Sequence, residues 1–356
     1  MRITTVEISG YQVPMDSSYG EITTVPAVVA RLATDEGLEG LGHAFSLTGR
    51  QVPSLVAATK EMAEALPGED PRRPERVHRK LMSDGLGTGG VTNVAASVLD
   101  VAVWDVAAKA AGLPLHRLLG GHRDRIAAYA SLRLGRAIPT DALPKHAATI
   151  VGLGFRAMKM NLGAEASVEA EIARVRAVRG AIGSDIRLLV DVNGRWTPAE
   201  AMRVGRQLDE FGLYWLEDPV PLANLEGMVE VRRAIGTPLA NGETLWNLAS
   251  FRSLFEARAV DYPMPDLARV GGITPFMKIA HLAEAFGLPL ACHLAPEISA
   301  HCVAAVPNGR IVEYVPWAQR LFRGCPVLGA GELILSDRPG HGLELDPDLA
   351  TQHRIA

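Results

Sequence analysis

Three acidic residues occur at equal intervals of 26 positions, and each one directly follows a short apolar run. They are Asp191, Glu217 and Glu243, in the segments LLVDVNGRW, YWLEDPVP and ANGETLW. An apolar run too short for a helix, followed by polar residues or by Gly and Pro, is typical of a buried parallel strand. The carboxyl ends of parallel strands share one face of a sheet or barrel. We therefore expect these three carboxylates to converge on one place.

Carboxylates that converge in apolar surroundings repel one another, and two of them ~4 Å apart do so by about 4 kcal/mol at an effective dielectric constant of about 20. Such a cluster predicts either a bound cation or strongly raised pKa values. A site built from oxygen ligands favours Mg²⁺ over zinc. The alternative is that all three acids are solvated loop residues. Their equal spacing and equal context favour the metal site.

The elements that would position these acids alternate strictly between strand and helix after residue 125. Helices between the strands carry clear start signals, such as the capping box TPAE at 197–200. Eight strands ~20 to 30 residues apart predict a (β/α) barrel, because an open doubly wound sheet rarely has eight. The predicted strands are 126–131, 156–161, 187–191, 213–217, 238–243, 262–266, 289–293 and 310–313.

The N-terminal part of the chain follows another pattern. Its first 45 residues alternate in the manner of antiparallel strands, with a turn predicted at 34–37. The period then lengthens to that of helices at 55–66 and 91–111. Strands followed by helices predict a separate α+β domain. We accordingly divide the chain into an α+β domain at 1–121, a barrel at 122–325 and a C-terminal segment at 326–356 that returns to the first domain.

Composition restricts the class of protein. The chain has 356 residues, enough for two domains, and a formal net charge of −4. A net charge of this sign does not indicate binding to nucleic acid or to an anionic membrane, so we expect a small-molecule partner. No run approaches about 18 apolar residues and no signal-peptide pattern is present, which predicts a cytoplasmic protein. Three cysteines without CxxC spacing suit reduced thiols better than a disulfide framework.

Nearly every residue at the predicted strand ends is polar, whereas the interior of a packed barrel is apolar. This contrast predicts a functional site at that end. His293 follows the apolar segment PLAC, where a lone histidine is often only a satisfied core residue. Asp266 on the neighbouring strand can fix its tautomer and raise its pKa, which makes a base or acid that works near neutral pH. The strand-end residues are Ser131, Lys159, Asn161, Asp191, Asn193, Glu217, Glu243, Asp266, His293 and Glu313.

Seven motifs together carry a resemblance to a known family. They are GFRAMKMNLG, LLVDVNGRW, YWLEDPVP, NGETL, MPDLARVGGIT, HLAPEISAHCVAAVPNG and EYVPW, and their order and spacing extend over nearly the whole chain. With these motifs the chain resembles the mandelate racemase subgroup of the enolase superfamily. The resemblance implies a (β/α)7β TIM-type barrel, with an N-terminal α+β capping domain that the C-terminal tail completes. It also implies a homo-oligomer, between a dimer and an octamer.

The resemblance assigns the three equally spaced acids and the histidine pair to catalysis. It implies that Asp191, Glu217 and Glu243 bind Mg²⁺ as the cofactor. It also implies that Asp266 and His293 form the dyad that removes a proton α to a carboxylate. A carbanion formed there would be stabilised as an ene-diolate.

Further roles follow from the same resemblance. Lys159 is implied to be the electrostatic partner of the substrate carboxylate, and Glu313 an acid that donates to one of its oxygens. The capping domain is implied to close over the barrel mouth through loops near residues 19 and 48, for which simple surface turns are the alternative. Substrate contacts are implied for Ser131 and Asn193 at the strand ends and for Tyr19, Arg50 and Arg133 as determinants of specificity.

One position departs from the family pattern. Racemases and many dehydratases of the subgroup carry Lys-x-Lys on the second barrel strand, and Asn161 stands at the second Lys. Asparagine has no titratable proton, so two-base racemisation would lack one of its bases. We expect Asn161 to bind a substrate hydroxyl instead. Arg269 stands where the family usually has Lys, which is a smaller change because both side chains are cationic.

These observations make a Mg²⁺-dependent lyase the leading hypothesis. His293 would remove the α-proton of a sugar acid, and loss of the β-hydroxyl as water would give a 2-keto-3-deoxy acid. A racemase or epimerase of a 2-hydroxy acid is one alternative, and a cycloisomerase of a sugar-acid lactone is another. A barrel that keeps its metal but acts as a binding or assembly protein is a third, against which the presence of both His293 and Asp266 argues.

Overall fold

The computed structural model describes residues 1–15, 24–45, 51–83, 89–221 and 223–356. Tyr19, Arg50 and the two segments predicted as capping loops lie outside these residues. The described strands form three sheets. One belongs to the N-terminal part, one forms the barrel, and a two-stranded one lies near the C-terminus.

The N-terminal part contains antiparallel strands followed by helices, as the sequence predicts. The strands are β1 (Ile3–Pro14), β2 (Thr24–Thr34) and β3 (Glu39–Phe45), which pair in chain order. The helices are α1 (Val52–Ala63), α2 (Pro74–Leu81), α3 (Gly90–Ala110) and α4 (Leu115–Leu118). The sequence prediction missed α2, because only Val77 and Leu81 of its eight residues are buried and leave little periodicity to detect.

Helix α3 is the core of this domain. It is the one helix among the described residues that is long and apolar enough to cross a membrane, yet 78% of its most apolar window is buried inside the protein. Strand β3 lies against it through Gly40 and Gly42. A Cβ atom on Gly42 would lie 2.0 Å from the carbonyl oxygen of Val98. Glycine therefore lets strand and helix backbones approach more closely than any side chain would permit.

Eight parallel strands form the barrel, in the order β10-β11-β4-β5-β6-β7-β8-β9. A parallel bridge between Asp266 and His293 joins the two ends of this order and closes the ring. All eight predicted strands are present, and their ends differ from the prediction by up to three residues. The strands are β4 (Arg125–Ala130), β5 (Ala157–Asn161), β6 (Arg187–Asp191), β7 (Trp215–Glu217), β8 (Leu239–Asn241), β9 (Tyr262–Pro263), β10 (Leu290–Cys292) and β11 (Gly309–Tyr314).

Helices alternate with these strands. The capping box predicted at Thr197 is present, since its side chain accepts from the backbone of Glu200 and the Glu200 side chain accepts in return. The helices are α5 (Leu143–Gly152), α6 (Val168–Ile182), α7 (Pro198–Leu208), α8 (Leu225–Ala234), α9 (Leu248–Glu256), α10 (Leu267–Val270), α11 (Ile273–Ala285) and α12 (Pro296–Ala305). The prediction of a barrel with an α+β capping domain is confirmed.

The C-terminal segment serves both parts of the protein. The β-strands and the α-helix that follow the last barrel strand are β12 (Phe322–Arg323), β13 (Val327–Gly329), β14 (Glu332–Ile334), β15 (Glu344–Leu345) and α13 (Pro347–His353). The β13-β14 hairpin pairs with barrel strand β4, which corrects the expectation that everything after residue 326 returns to the capping domain. The chain reaches that domain later, where Gly10 N donates to Ala356 O at 2.8 Å. The exact domain boundaries remain a prediction.

The contact between β3 and α3 leads to a first test. We expect Gly42→Ala to lower the free energy of unfolding by about 1 to 3 kcal/mol or more, because its methyl group would meet backbone that cannot move away. Gly180→Ala is the matched control. Gly180 lies within α6, and the space that an added methyl group would occupy there is open, so alanine should stabilise slightly, by about 0.5 to 1 kcal/mol. Urea unfolding measures both, and equal effects would contradict the close packing.

Candidate active site

Most of the predicted strand-end residues point into the barrel, one layer above an apolar floor. The floor is formed by Tyr129, Ala157, Leu189, Trp215, Ala240, Met264, Ala291 and Ile311. Side chains two positions apart on a strand point the same way, so a polar residue two positions beyond a floor residue lies directly above the floor. Seven residues have this relation to the floor, namely Ser131, Lys159, Asp191, Glu217, Asp266, His293 and Glu313.

Lys159 lies at the centre of this layer. Its Nζ atom is 2.8 Å from Oε1 of Glu217, 2.8 Å from Oε1 of Glu313 and 3.3 Å from Oδ2 of Asp191. The four side chains are at most 4% exposed. Ion pairs with so little exposure to solvent stabilise a protein only if the hydrogen bonding of the charged groups is nearly complete. Trp215 adds such a bond, since its Nε1 donates to Oε2 of Glu217 at 3.0 Å.

One ammonium group does not neutralise three carboxylates. Burial raises the pKa of Glu217 well above its usual value, and the attraction of Lys159 does not compensate for burial and the nearby acids. Burial raises the pKa of Asp191 in the same way. For Glu313, burial is outweighed by the charges of Lys159 and His293 and by hydrogen bonds, including one from Ser131, which lower its pKa to about 2. The cluster therefore favours additional positive charge.

His293 and Asp266 form the predicted pair. Nδ1 of His293 is 2.7 Å from Oδ2 of Asp266, and Nε2 lies 3.0 Å from Oε2 of Glu243 and 4.0 Å from Oε2 of Glu313. Burial alone would lower the pKa of His293, but the charge of Glu243 and the hydrogen bond to Asp266 raise it to about 9. Burial would raise the pKa of Asp266, but the bond to His293 and its charge lower it. Arg269 NH1 donates to the Glu243 carbonyl at 2.8 Å.

Asn161 and Asn193 lie on the other side of Asp191. Asn193 has a left-handed backbone conformation with φ of 49°, and its N and Nδ2 donate to Asp191 at 2.8 and 3.0 Å. Asn161 Nδ2 is 3.3 Å from Oδ2 of Asp191 and 3.4 Å from Oδ1 of Asn193. Arg136 completes this side, since its NH2 donates to Asn193 Oδ1 at 2.7 Å. Four side chains thus form a polar network at the position where the family usually has its second lysine.

The chemistry of the three predicted metal ligands fits a hard divalent cation. Asp191, Glu217 and Glu243 supply oxygen only, and Oε2 of Glu243 is buried without a hydrogen-bond partner of adequate geometry among the described residues. The raised pKa values of Asp191 and Glu217 also indicate a deficit of positive charge. Among the described residues, no group of three His, Cys, Asp or Glu side chains is already arranged to hold a metal ion. Lys159 contacts Glu217, and His293 contacts Glu243.

The structure adds residues that sequence reasoning missed. Asp218 is 6% exposed, has φ of 43° and leaves Oδ1 without a partner among the described residues. Burial, followed by the charges of Glu243 and Asp191, raises its pKa well above the usual value. The sequence signal that could have identified Asp218 as a site residue is its position directly after Glu217. Nothing in the sequence pointed to Arg136, which approaches from the loop after β4.

Comparisons with known proteins agree with this geometry. A family model described as "Mandelate racemase / muconate lactonizing enzyme, N-terminal domain" matches residues 1–120, and one described as "Enolase C-terminal domain-like" matches residues 142–349. The chain is 36% identical to L-talarate/galactarate dehydratase of Salmonella typhimurium over 327 residues, or 91% of this chain and 81% of the relative. It is 30% identical to 3,6-anhydro-alpha-L-galactonate cycloisomerase of Streptomyces coelicolor over 344 residues, or 94% and 95%.

A solved structure is equally similar. L-Talarate dehydratase from Polaromonas sp. JS666, complexed with Mg and L-glucarate, superposes with a TM-score of 0.93 at 36% identity, over 100% of this chain and 98% of that one. The fold is a capped barrel, and its mouth holds a buried cluster of carboxylates next to a histidine–aspartate pair. The chain belongs to the mandelate racemase/muconate lactonizing enzyme family of the enolase superfamily. The prediction of the family is confirmed, and the Polaromonas structure contains the Mg that the sequence predicts as cofactor.

The buried cluster around Lys159 leads to the second test. Lys159→Met should lower the free energy of unfolding by about 3 to 5 kcal/mol without divalent metal, because it leaves buried carboxylates without a counter-charge. Lys278→Met is the control, since Lys278 is 46% exposed and pairs with exposed Glu75, and its loss should cost at most about 1 kcal/mol. Urea unfolding compares the two. Equal losses would mean that Lys159 does not hold the cluster together.

Proposed function

We propose that the protein is a Mg²⁺-dependent dehydratase that removes water from a sugar acid and yields a 2-keto-3-deoxy acid. One observation carries the proposal: a histidine held by Asp266 lies beside Glu313 of a buried carboxylate cluster, while Asn161, three strands away in the barrel, lies beside Asp191 of the same cluster. A proton on a carbon next to a carboxylate can be taken from one side of such a site. The similarity to an L-talarate/galactarate dehydratase supports an acid-sugar substrate.

Mg²⁺ held by Asp191, Glu217 and Glu243 would supply positive charge where negative charge develops on the substrate carboxylate. The neutral form of His293 would take the α-proton at Nε2, because Asp266 holds Nδ1 and fixes the direction of the ring. The electron pair of the broken C–H bond then expels the β-hydroxyl. The protonated imidazole can return its proton to that hydroxyl, so that water leaves and the enol becomes the 2-keto acid.

Lys159 and Glu313 act on the carboxylate of the substrate in this proposal. Lys159 carries the positive charge that would pair with it. Glu313 is an anion in the described arrangement, where it accepts from Lys159 and from Leu294 N at 3.0 Å. Its role as a proton donor, like the substrate contacts of Ser131, Asn193, Tyr19 and Arg50, stays a prediction. Donation by Glu313 requires its carboxylate to be protonated first, which the charges of Lys159 and His293 oppose in the described arrangement.

A racemase is the weaker proposal because the second face has no base. Asn161 cannot titrate, and Arg136 beside it keeps its proton at all working pH values. A cycloisomerase also needs a single base, and the similarity to an anhydro-galactonate cycloisomerase favours it as the second candidate. Analysis of the product separates the two, since dehydration gives a 2-keto acid and cycloisomerisation keeps all atoms of the substrate.

Two expectations about the whole molecule accompany the proposal. A homo-oligomer is supported by Val327 and Ile334, cross-strand neighbours on the β13-β14 hairpin that are 65% and 43% exposed. A cytoplasmic location is supported by Cys292 and Cys302, which are buried and unpaired.

The metal ligands can be tested by one isosteric change. Glu217→Gln should abolish turnover and lower Mg²⁺ affinity about tenfold or more, since it removes one ligand charge but no packing. Glu256→Gln, at an exposed surface pair, is the control and should bind Mg²⁺ normally. Titration followed by melting temperature measures affinity without a substrate. Normal affinity in the Glu217 variant would exclude this residue as a ligand.

The single-base mechanism can be tested in D₂O with a panel of sugar acids. The active substrate should exchange or lose its α-hydrogen in one configuration, and His293→Asn should slow this by about 10² to 10⁴-fold. Asn161→Ala should chiefly weaken binding. His281→Asn, on the exposed face of α11, is the control and should leave the rate unchanged. Deuterium entering both epimers at similar rates would restore the racemase hypothesis.

A further inference from the structure

Asn93 connects the capping domain to two segments next to the candidate active site. It belongs to α3 and is 1% exposed. Its Nδ2 donates to the carbonyl oxygens of Trp246 and Arg269, both at 2.8 Å. Its Oδ1 accepts from Gly89 N at 2.7 Å. Both amide hydrogens and the amide oxygen are therefore used, which satisfies every polar group of this buried side chain.

The two acceptor carbonyls lie three residues beyond functional side chains. Trp246 follows Glu243 by three positions, and Arg269 follows Asp266 by three. Asp266 also caps the short helix α10 by accepting from Arg269 N at 2.8 Å. Arg269 NH1 donates to the carbonyl of Glu243 at 2.8 Å. One amide group thus joins the segment that carries Glu243 to the segment that carries Asp266.

The capping domain holds the segment after His293 as well. Nε2 of His43, on β3, lies 2.6 Å from Oε1 of Glu297, and the two side chains are 1% and 3% exposed. Glu297 lies in the first turn of α12, four residues after His293. Each of the three segments that carry Glu243, Asp266 and His293 is therefore held by a buried polar group of the capping domain.

A second polar residue of α3 makes a contact of a different kind. Asp100, 1% exposed, accepts from Thr274 N at 2.9 Å and from Thr274 Oγ1 at 2.7 Å. Thr274 lies in the first turn of α11, outside the strand ends. Asp100 fixes the capping domain to the barrel wall, and these two bonds reach none of the three segments that carry Glu243, Asp266 and His293. Docking of α3 therefore does not by itself require Asn93.

We propose that Asn93 is a positioning residue that sets the distance between Glu243 and the His293–Asp266 pair. This inference rests on the proposed function for its effect on catalysis, but its structural part does not. If position 93 served only for packing, an apolar residue would be expected there, because burying a polar group costs free energy and α3 is largely apolar. A displacement of about 1 Å at a reacting group can cost about 10²-fold in rate, so two hydrogen bonds behind the active site can govern turnover.

The test compares Asn93→Ala and Asn93→Asp with Asp100→Asn in the 356-residue chain. Asn93→Asp keeps the acceptor for Gly89 N and removes both donors. Hydrogen–deuterium exchange of peptides covering 243–247 and 266–270 is measured first, without metal or substrate. The kcat and KM values are then measured with whichever sugar acid the wild-type protein converts, together with melting temperatures.

We expect both Asn93 variants to exchange faster in the two segments together and to lose about 10²-fold in kcat with little change in KM. Asp100→Asn should lower the melting temperature by a few degrees with kcat and these two segments unchanged. Asn93 variants that only lose stability, or that both fail to fold, would assign a structural role and overturn the proposal. If the wild-type protein converts no sugar acid, the proposed function fails, and the exchange measurement alone decides on Asn93.

Discussion

A single buried ammonium group holds the mouth of the barrel together. Nζ of Lys159 lies within 3.3 Å of carboxylates from three other strands, where almost no water reaches any of them. Buried charges persist only when they are paired, so β5, β6, β7 and β11 must keep their register for the cluster to remain ionised. The attraction is nevertheless incomplete, since the pKa of Glu217 stays raised. The same imbalance of charge supports the proposal that the site binds a divalent cation.

The capping domain obeys the same rule of paired polar groups. Helix α3 is apolar enough to resemble a membrane span, but it carries Asn93 and Asp100 at buried positions. Each of them has hydrogen-bond partners in the barrel, at distances of 2.7 to 2.9 Å. Apolar packing between β3 and α3 builds the domain, while these polar contacts fix where it sits. Placement of the domain and geometry of the active site are thus linked through short hydrogen bonds.

Much of the fold and most of the site followed from local patterns. Period-two side chains, short apolar runs and polar strand ends located all eight barrel strands, because parallel strands impose these features on their own sequence. The tight hairpin at Thr34 and the capping box at Thr197 were equally local. Helix α2 was not predicted from the sequence, because its two buried residues do not form a detectable helical period. The β13-β14 hairpin was misplaced because a strand pattern contains no information about its pairing partner.

The sequence by itself determined which residues stand at the strand ends, and therefore which chemistry the barrel mouth can contain. The sequence also determines that position 161 has Asn in place of a lysine, and the absence of a titratable group there does not depend on the fold. Tertiary structure decided which atoms meet. Lys159 pairs with acids 32, 58 and 154 positions away, and Asn93 donates to carbonyls 153 and 176 positions away. Such contacts depend on distances through space that closing the barrel and docking the cap create, and no local period encodes them.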